Sequence, residues 1–191
     1  MKDLKEIMNF MLGFMPWILF LFFSGQTFVS LERSILIGLL ASLIFGFNEL
    51  RRGFLLQWGT LFFFILCAIT VNCLKWVFVA KSMGIISNGF LALVIWWTIL
   101  SGKPFTLQYA RAELPKERWN EPALLLSCRL LAIVWALLLT FLALVACFKS
   151  LNPSLYPDGI YLGISIAVIV GGIVFTSVYK KYKRNQAHPK L

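Results

Sequence analysis

Carboxylates are scarce in this chain: 191 residues hold 8 Asp and Glu together. Asp3 and Asp158 are the only aspartates, so the clustered acidic motifs that hold magnesium for prenyl or CDP-alcohol transfer are missing. The single histidine, His188, lies in the polar tail, which makes a histidine metal site or a Ser-His-Asp triad hard to build. Cys67, Cys73, Cys128 and Cys147 lie in or beside apolar runs without C-x-x-C spacing, as expected of thiols acting as small hydrophobes. Gly102-Lys103 has neither the upstream glycine nor the following Ser/Thr of a phosphate loop. No acidic pair falls at mid-membrane depth, which weakens a proton-coupled transporter. No cofactor, metal site or catalytic residue is expected, and the chain does not read as an enzyme.

Apolar residues are plentiful. They make up 60% of the chain, mean hydropathy is +0.82, and only 14% of residues are charged. A soluble domain of this size cannot hide so much apolar surface behind so few charges, so lipid must be the solvent for much of it. The expected fold is all-α, a single helical membrane domain over residues 1–191. The net charge of +10 sits in short connections and the tail. There, orientation and anionic headgroups explain it better than nucleic acid does.

The first apolar run, Phe10–Phe23, follows Lys2 and Lys5 and resembles a signal peptide. No small-x-small cleavage pattern follows it, so it reads as an uncleaved transmembrane helix bent or packed at Pro16. The second run, Ser34–Leu50, repeats Ser34, Gly38, Ser42 and Gly46 every four residues on one face, a candidate packing seam. The third, Phe54–Asn72, is aromatic-rich. Asn72–Ser82 places Trp76 between Lys75 and Lys81, a pattern suited to headgroup depth. The fourth run is Met83–Leu100, and the fifth begins around Pro122 and continues to Phe148. The sixth, Gly159–Tyr179, repeats the small-residue device at Gly159, Gly163, Ala167 and Gly171. Residues 180–191 read as a polar, disordered tail.

Six spans put both termini on one side. That side collects 13 Lys and Arg, the other side 4, and Arg129 falls inside a span. The bias predicts cytoplasmic termini and a cytoplasmic 101–119 connection.

That connection, Ser101–Trp119, is the longest internal polar interval. Gly102 ends the fourth helix, and Pro104 opens a short one. Phe105, Tyr109 and Ala112 recur along it as the apolar stripe of an amphipathic interfacial helix, which Leu114-Pro115 stops. Lys103, Arg111, Lys116 and Arg118, with Trp119, are candidate contacts to a partner or a lipid headgroup, or else topological determinants. Arg129, eight residues past Glu121, is expected to snorkel or to pair with Glu113, Glu117 or Glu121.

Gly102-Lys103-Pro104, Glu113-Leu114-Pro115, Trp119 and Trp135-Ala136 resemble a stretch of the intracellular septation protein A (YciB/IspZ-like) family. Phe14-Met15-Pro16 and Lys75-Trp76 add to the likeness in layout. The resemblance implies a bacterial inner-membrane protein of cell-envelope integrity and septation, working through other membrane proteins, self or membrane lipids. No catalytic residues come with it. The competing expectation is a small transporter or lipid-handling protein, which requires Gln57, Asn72, Asn88 and Arg129 to share a cavity.

Overall fold

A computed structural model describes residues 2–25, 27–155 and 157–187, with side chains from Gly13 to Lys183 except Gln26, Glu113 and Tyr156. The fold is all-α, with no strand among the described residues. Five helical stretches are long and apolar enough to cross a membrane: Phe28–Phe45, Leu55–Cys73, Met83–Leu100, Pro122–Leu151 and Asp158–Lys183. The apolar part of the first helix described here, Gly13–Phe23, is shorter. Large apolar side chains such as Phe22, Leu93, Leu144 and Val174 stand exposed on these helices, suggesting a multi-pass membrane protein.

Helix α1 spans Lys2–Phe23 and keeps Pro16 inside, where the ring is fully buried. Helix α2, Phe28–Phe45, starts six residues before the apolar run at Ser34 because Thr27 caps it, its Oγ1 accepting from the Ser30 N–H at 3.2 Å. The helix therefore absorbs Glu32 and Arg33, which the sequence suggested lay outside it. After Gly46, the short α3 (Phe47–Arg51) leads to Gly53, whose φ of 73° turns the chain into α4, Leu55–Cys67. Helix α4 continues as a π-helical turn, Ala68–Cys73. Just beyond it, Lys75 (φ 54°) pairs with Glu32, while Asn72 Nδ2 donates to the Glu32 carbonyl at 3.1 Å. Helix α5, Val77–Lys81, follows with Trp76, Val77 and Phe78 exposed.

Helix α6 has the bounds its apolar run predicts, Met83–Leu100, and Gly102 (φ 72°) ends it as expected. Helix α7 is Phe105–Glu113, followed by Leu114 in extended geometry and a 3-10 turn, Lys116–Arg118. Helix α8, Pro122–Leu151, opens with proline in its first turn. Helix α9, Asp158–Ala187, corrects the disordered-tail expectation over residues 180–187. His188 and the residues after it lie outside the described residues.

Two clusters form the interior. Phe20, Ile35, Phe63 and Phe64 close one around α1, α2 and α4, with Trp17 against Phe63 (4.9 Å) and Phe64 (5.2 Å). Leu91, Ile95, Phe105, Tyr109, Trp135 and Leu139 close the other around α6, α7 and α8. Phe14 stacks on Trp135 at 5.4 Å, bringing α1 to the second cluster.

One polar device recurs three times. Trp17 Nε1 donates to Thr60 Oγ1 (3.0 Å), Trp96 Nε1 to Thr140 Oγ1 (3.2 Å), and Trp135 Nε1 to Thr176 Oγ1 (3.1 Å). These bonds tie α1 to α4, α6 to α8, and α8 to α9. Each threonine hydroxyl then donates to a carbonyl four residues back, at Leu56, Ala136 and Gly172. Indole and hydroxyl thus satisfy each other, fully buried at Trp135–Thr176 and part-buried at the other two.

The two small-residue stripes part company. Ser34, Gly38, Ser42 and Gly46 are all buried, and a Cβ on Gly38 would stand 2.6 Å from Phe64 Cζ. By contrast, Gly159, Gly163, Ala167 and Gly171 are exposed, and a Cβ on any of the three glycines would meet nothing within 4 Å. The expected packing role within the chain is corrected there. The bundle-facing side of α9 runs instead through Tyr161, Gly172 and Thr176, and a Cβ on Gly172 would lie 2.8 Å from Leu138 and 3.3 Å from Trp135.

Candidate functional site

Polar groups gather where the α3–α4 turn, α7 and the 3-10 turn meet. Helix α7 is fastened there on three sides. Its Gln108 Oε1 accepts from the Leu55 N–H at 3.0 Å, capping an α4 N-terminus whose own N-cap residue, Phe54, has no side-chain acceptor. Thr106 Oγ1 donates to the Cys128 carbonyl at 2.6 Å, and the Phe105 N–H donates to Thr98 Oγ1 at 3.2 Å. Tyr109 meets Phe54 edge-on at 4.9 Å. Burial, then the nearby Glu49 carboxylate, pushes the Tyr109 hydroxyl well above its ordinary value.

Phe105, Thr106, Leu107 and Tyr109 are all buried, and Ala112 alone of the expected stripe is exposed. The apolar residues of α7 are therefore taken up by protein, and the interfacial stripe Phe105, Tyr109, Ala112 is corrected. Phe105, Leu107 and Tyr109 pack on the neighbouring helices and leave no apolar stripe facing outward.

Beside α7 opens a cleft of about 510 Å³. Arg52, Arg111 and Lys116 contribute cations to its wall, Trp119 and Phe54 contribute rings, and Leu114 and Pro115 line the rest of the apolar surface. No carboxylate lines it among the described residues. The Arg111 guanidinium lies over the Trp119 ring, 5.6 Å from its centroid. Its Nη2 reaches the Trp119 carbonyl and Asn120 Oδ1 only at 3.4 Å, and its Nε is buried without an acceptor among the described residues. Trp119 Nε1 donates to the Leu114 carbonyl at 3.0 Å, which fixes the indole.

Of the six candidate contact residues, this cleft brings together Arg111, Lys116 and Trp119. Lys103 is exposed outside it. Arg118 binds Glu121 with two hydrogen bonds, of 2.8 and 3.0 Å. That bond holds Glu121 below its usual carboxylate range and raises the Arg118 guanidinium. Arg129 stands exposed on α8, so the expected clasp to Glu121 is corrected: a neighbour three residues away took the carboxylate first. Glu117 is exposed, and the Glu113 side chain lies outside the described residues. Arg52, Phe54 and Gln108 were not foreseen as site residues. Arg52 had one signal, its place on the basic side of the proposed topology.

The four polar residues proposed to mark a solute path do not converge. Gln57 is fully buried against Gly46, and neither amide atom finds a partner among the described residues. Asn72 serves the Glu32 carbonyl, Asn88 bonds to Gly84 of its own helix at 2.8 Å, and Arg129 faces outward. No group of three or more potential metal ligands occurs among the described residues.

No protein-family model matches this chain, and comparison with curated proteins and with solved structures yields no significant match. The likeness to the septation protein A family therefore rests on the short stretches of sequence named above.

Proposed function

We propose that this chain is a six-span bacterial inner-membrane protein with cytoplasmic termini, acting without catalysis as a scaffold in cell-envelope maintenance or septation. The observation that carries this reading over a transporter is the dispersal of Gln57, Asn72, Asn88 and Arg129 to separate places. The basic bias of the termini and the 101–119 connection supports the orientation. The family resemblance supplies the role. Exposed Lys103 and Glu117, at the same end of the bundle as the cleft, offer a surface to a membrane partner.

A photo-crosslinking residue at Lys103 or Glu117, activated in native membranes, should capture discrete inner-membrane proteins. The same probe at Leu93, exposed on the flank of α6, should capture lipid alone. Identical capture from both positions would remove the scaffold reading. Substrate-dependent flux in proteoliposomes would transfer the case to the transporter.

A further inference from the structure

We propose that the cleft between the α3–α4 turn and α7 holds the phosphate of an anionic phospholipid headgroup. This rests on the membrane reading above and names a ligand for that end of the protein. Arg52 of the α3–α4 turn meets Arg111 and Lys116, which lie five residues apart at the end of α7 and just after it, on a wall without a carboxylate among the described residues. Three cations elsewhere are neutralised by the protein itself: Arg118 by Glu121, Lys75 by Glu32 and Lys149 by Asp158. In the cleft no acid among the described residues performs that service.

Arg111 is the most telling of the three. Trp119 holds its guanidinium face, its two side-chain hydrogen bonds are long, and its buried Nε has no acceptor among the described residues. Such a group is short of an anion. A phosphate offers oxygens in the geometry the guanidinium fork matches.

The position suits lipid. The wall is built from residues just before α4 and α8, the ends of two candidate spans, which is headgroup depth. Partly buried Trp119 presents an apolar ring at that level, with its N–H already satisfied by Leu114. Phe54, Leu114 and Pro115 offer apolar surface to the glycerol and first acyl carbons. A volume of about 510 Å³ accommodates a headgroup. Three cations favour a net-negative headgroup over a zwitterionic one, whose own ammonium they would repel.

The test uses the full chain in nanodiscs of mixed phosphatidylglycerol and phosphatidylcholine, with retained lipids counted by native mass spectrometry. The wild-type chain should retain phosphatidylglycerol preferentially. Arg52→Gln combined with Lys116→Gln should cut that preference by roughly tenfold or more, each lost cation being worth roughly fivefold. Both residues are exposed, so this pair leaves the fold intact where Arg111→Gln, beneath Trp119, risks disturbing it. Lys103→Gln removes a cation from the same end outside the cleft and should change nothing. An equal loss from Lys103→Gln, or no preference in the wild type, would overturn the site. Displacement of the lipid by inorganic phosphate would overturn the lipid as the source of the phosphate; retention in its presence supports it. No preference in the wild type, with six spans intact on a reporter map, sinks this site alone, whereas a C-terminus mapped outside sinks the span count alone.

Discussion

At the scale of single residues, what decides a position is whether another atom already occupies its neighbourhood. Gly38 sits against the Phe64 ring, which is wholly buried and cannot swing away. Gly38→Leu should lower the thermal midpoint in detergent by roughly 2–12 °C, the usual consequence of overpacking a closed core. Gly163→Leu, on the open face of α9, should leave the midpoint of the monomer unchanged. Equal effects would mean that α9 does not present that face outward. Tyr109 supplies a second residue-scale outcome, since α7 lies outside the spanning helices. Its hydroxyl is raised by burial and then by Glu49, so its contribution is complete below the ordinary value of 10.0 and is lost as pH rises through the folded value. An ultraviolet titration of the five tyrosines should show Tyr109 ionising only as the fold is lost. Tyr109→Phe should remove one equivalent from that late phase, and an unchanged late phase would place Tyr109 in contact with solvent.

At the scale of elements, the boundaries set by glycine and proline were legible, whereas the starts and ends of α2 and α9 and the partnerships between helices were not. Gly102, Leu114-Pro115 and Pro122 act on their own backbone, so their effects on helix ends could be read locally. The face of α9 could not. Gly171 and Gly172 differ by one residue, about 100° around a helix, and only the second meets Trp135. The indole–threonine ties were equally hidden, because donor and acceptor lie 41 to 44 residues apart with no local mark. They are testable as couplings. A double-mutant cycle of Trp135→Phe and Thr176→Val should give about 0.6 kcal/mol of interaction, up to ~2 kcal/mol if the site is dry. Strict additivity would show that the 3.1 Å contact holds nothing. The site was half legible for the same reason. Arg111, Lys116 and Trp119 lie within nine residues of one another, whereas Arg52 and Phe54 reach the cleft only through the fold.

For the whole molecule, the polar ties divide by end. Lys75 with Glu32 and Lys149 with Asp158 close one end, and Gln108 with the Leu55 N–H fastens the other. Of the three cation–carboxylate pairs, these two lie on the side that collects few basic residues, and the basic-rich side pairs Arg118 with Glu121 while Arg52, Arg111 and Lys116 surround the cleft. Reporter fusions after Lys183, within 105–118 and at Asn152 should map the first two to the cytoplasm and the third outside. A C-terminal reporter found outside would sink the six-span arrangement.

The three indole–threonine bonds also carry a direction in time. In each pair the tryptophan is made first and the threonine follows 41 to 44 residues later. At about 5–20 residues per second, each indole waits roughly 2–9 s during synthesis for its acceptor to leave the ribosome. Helix α1 is therefore made with its Trp17 N–H unanswered until Thr60 follows on α4, and α8 waits likewise for Thr176. Assembly of these helices is a sequence of deferred closures, and the bond from Trp135 closes only when α9 has followed α8.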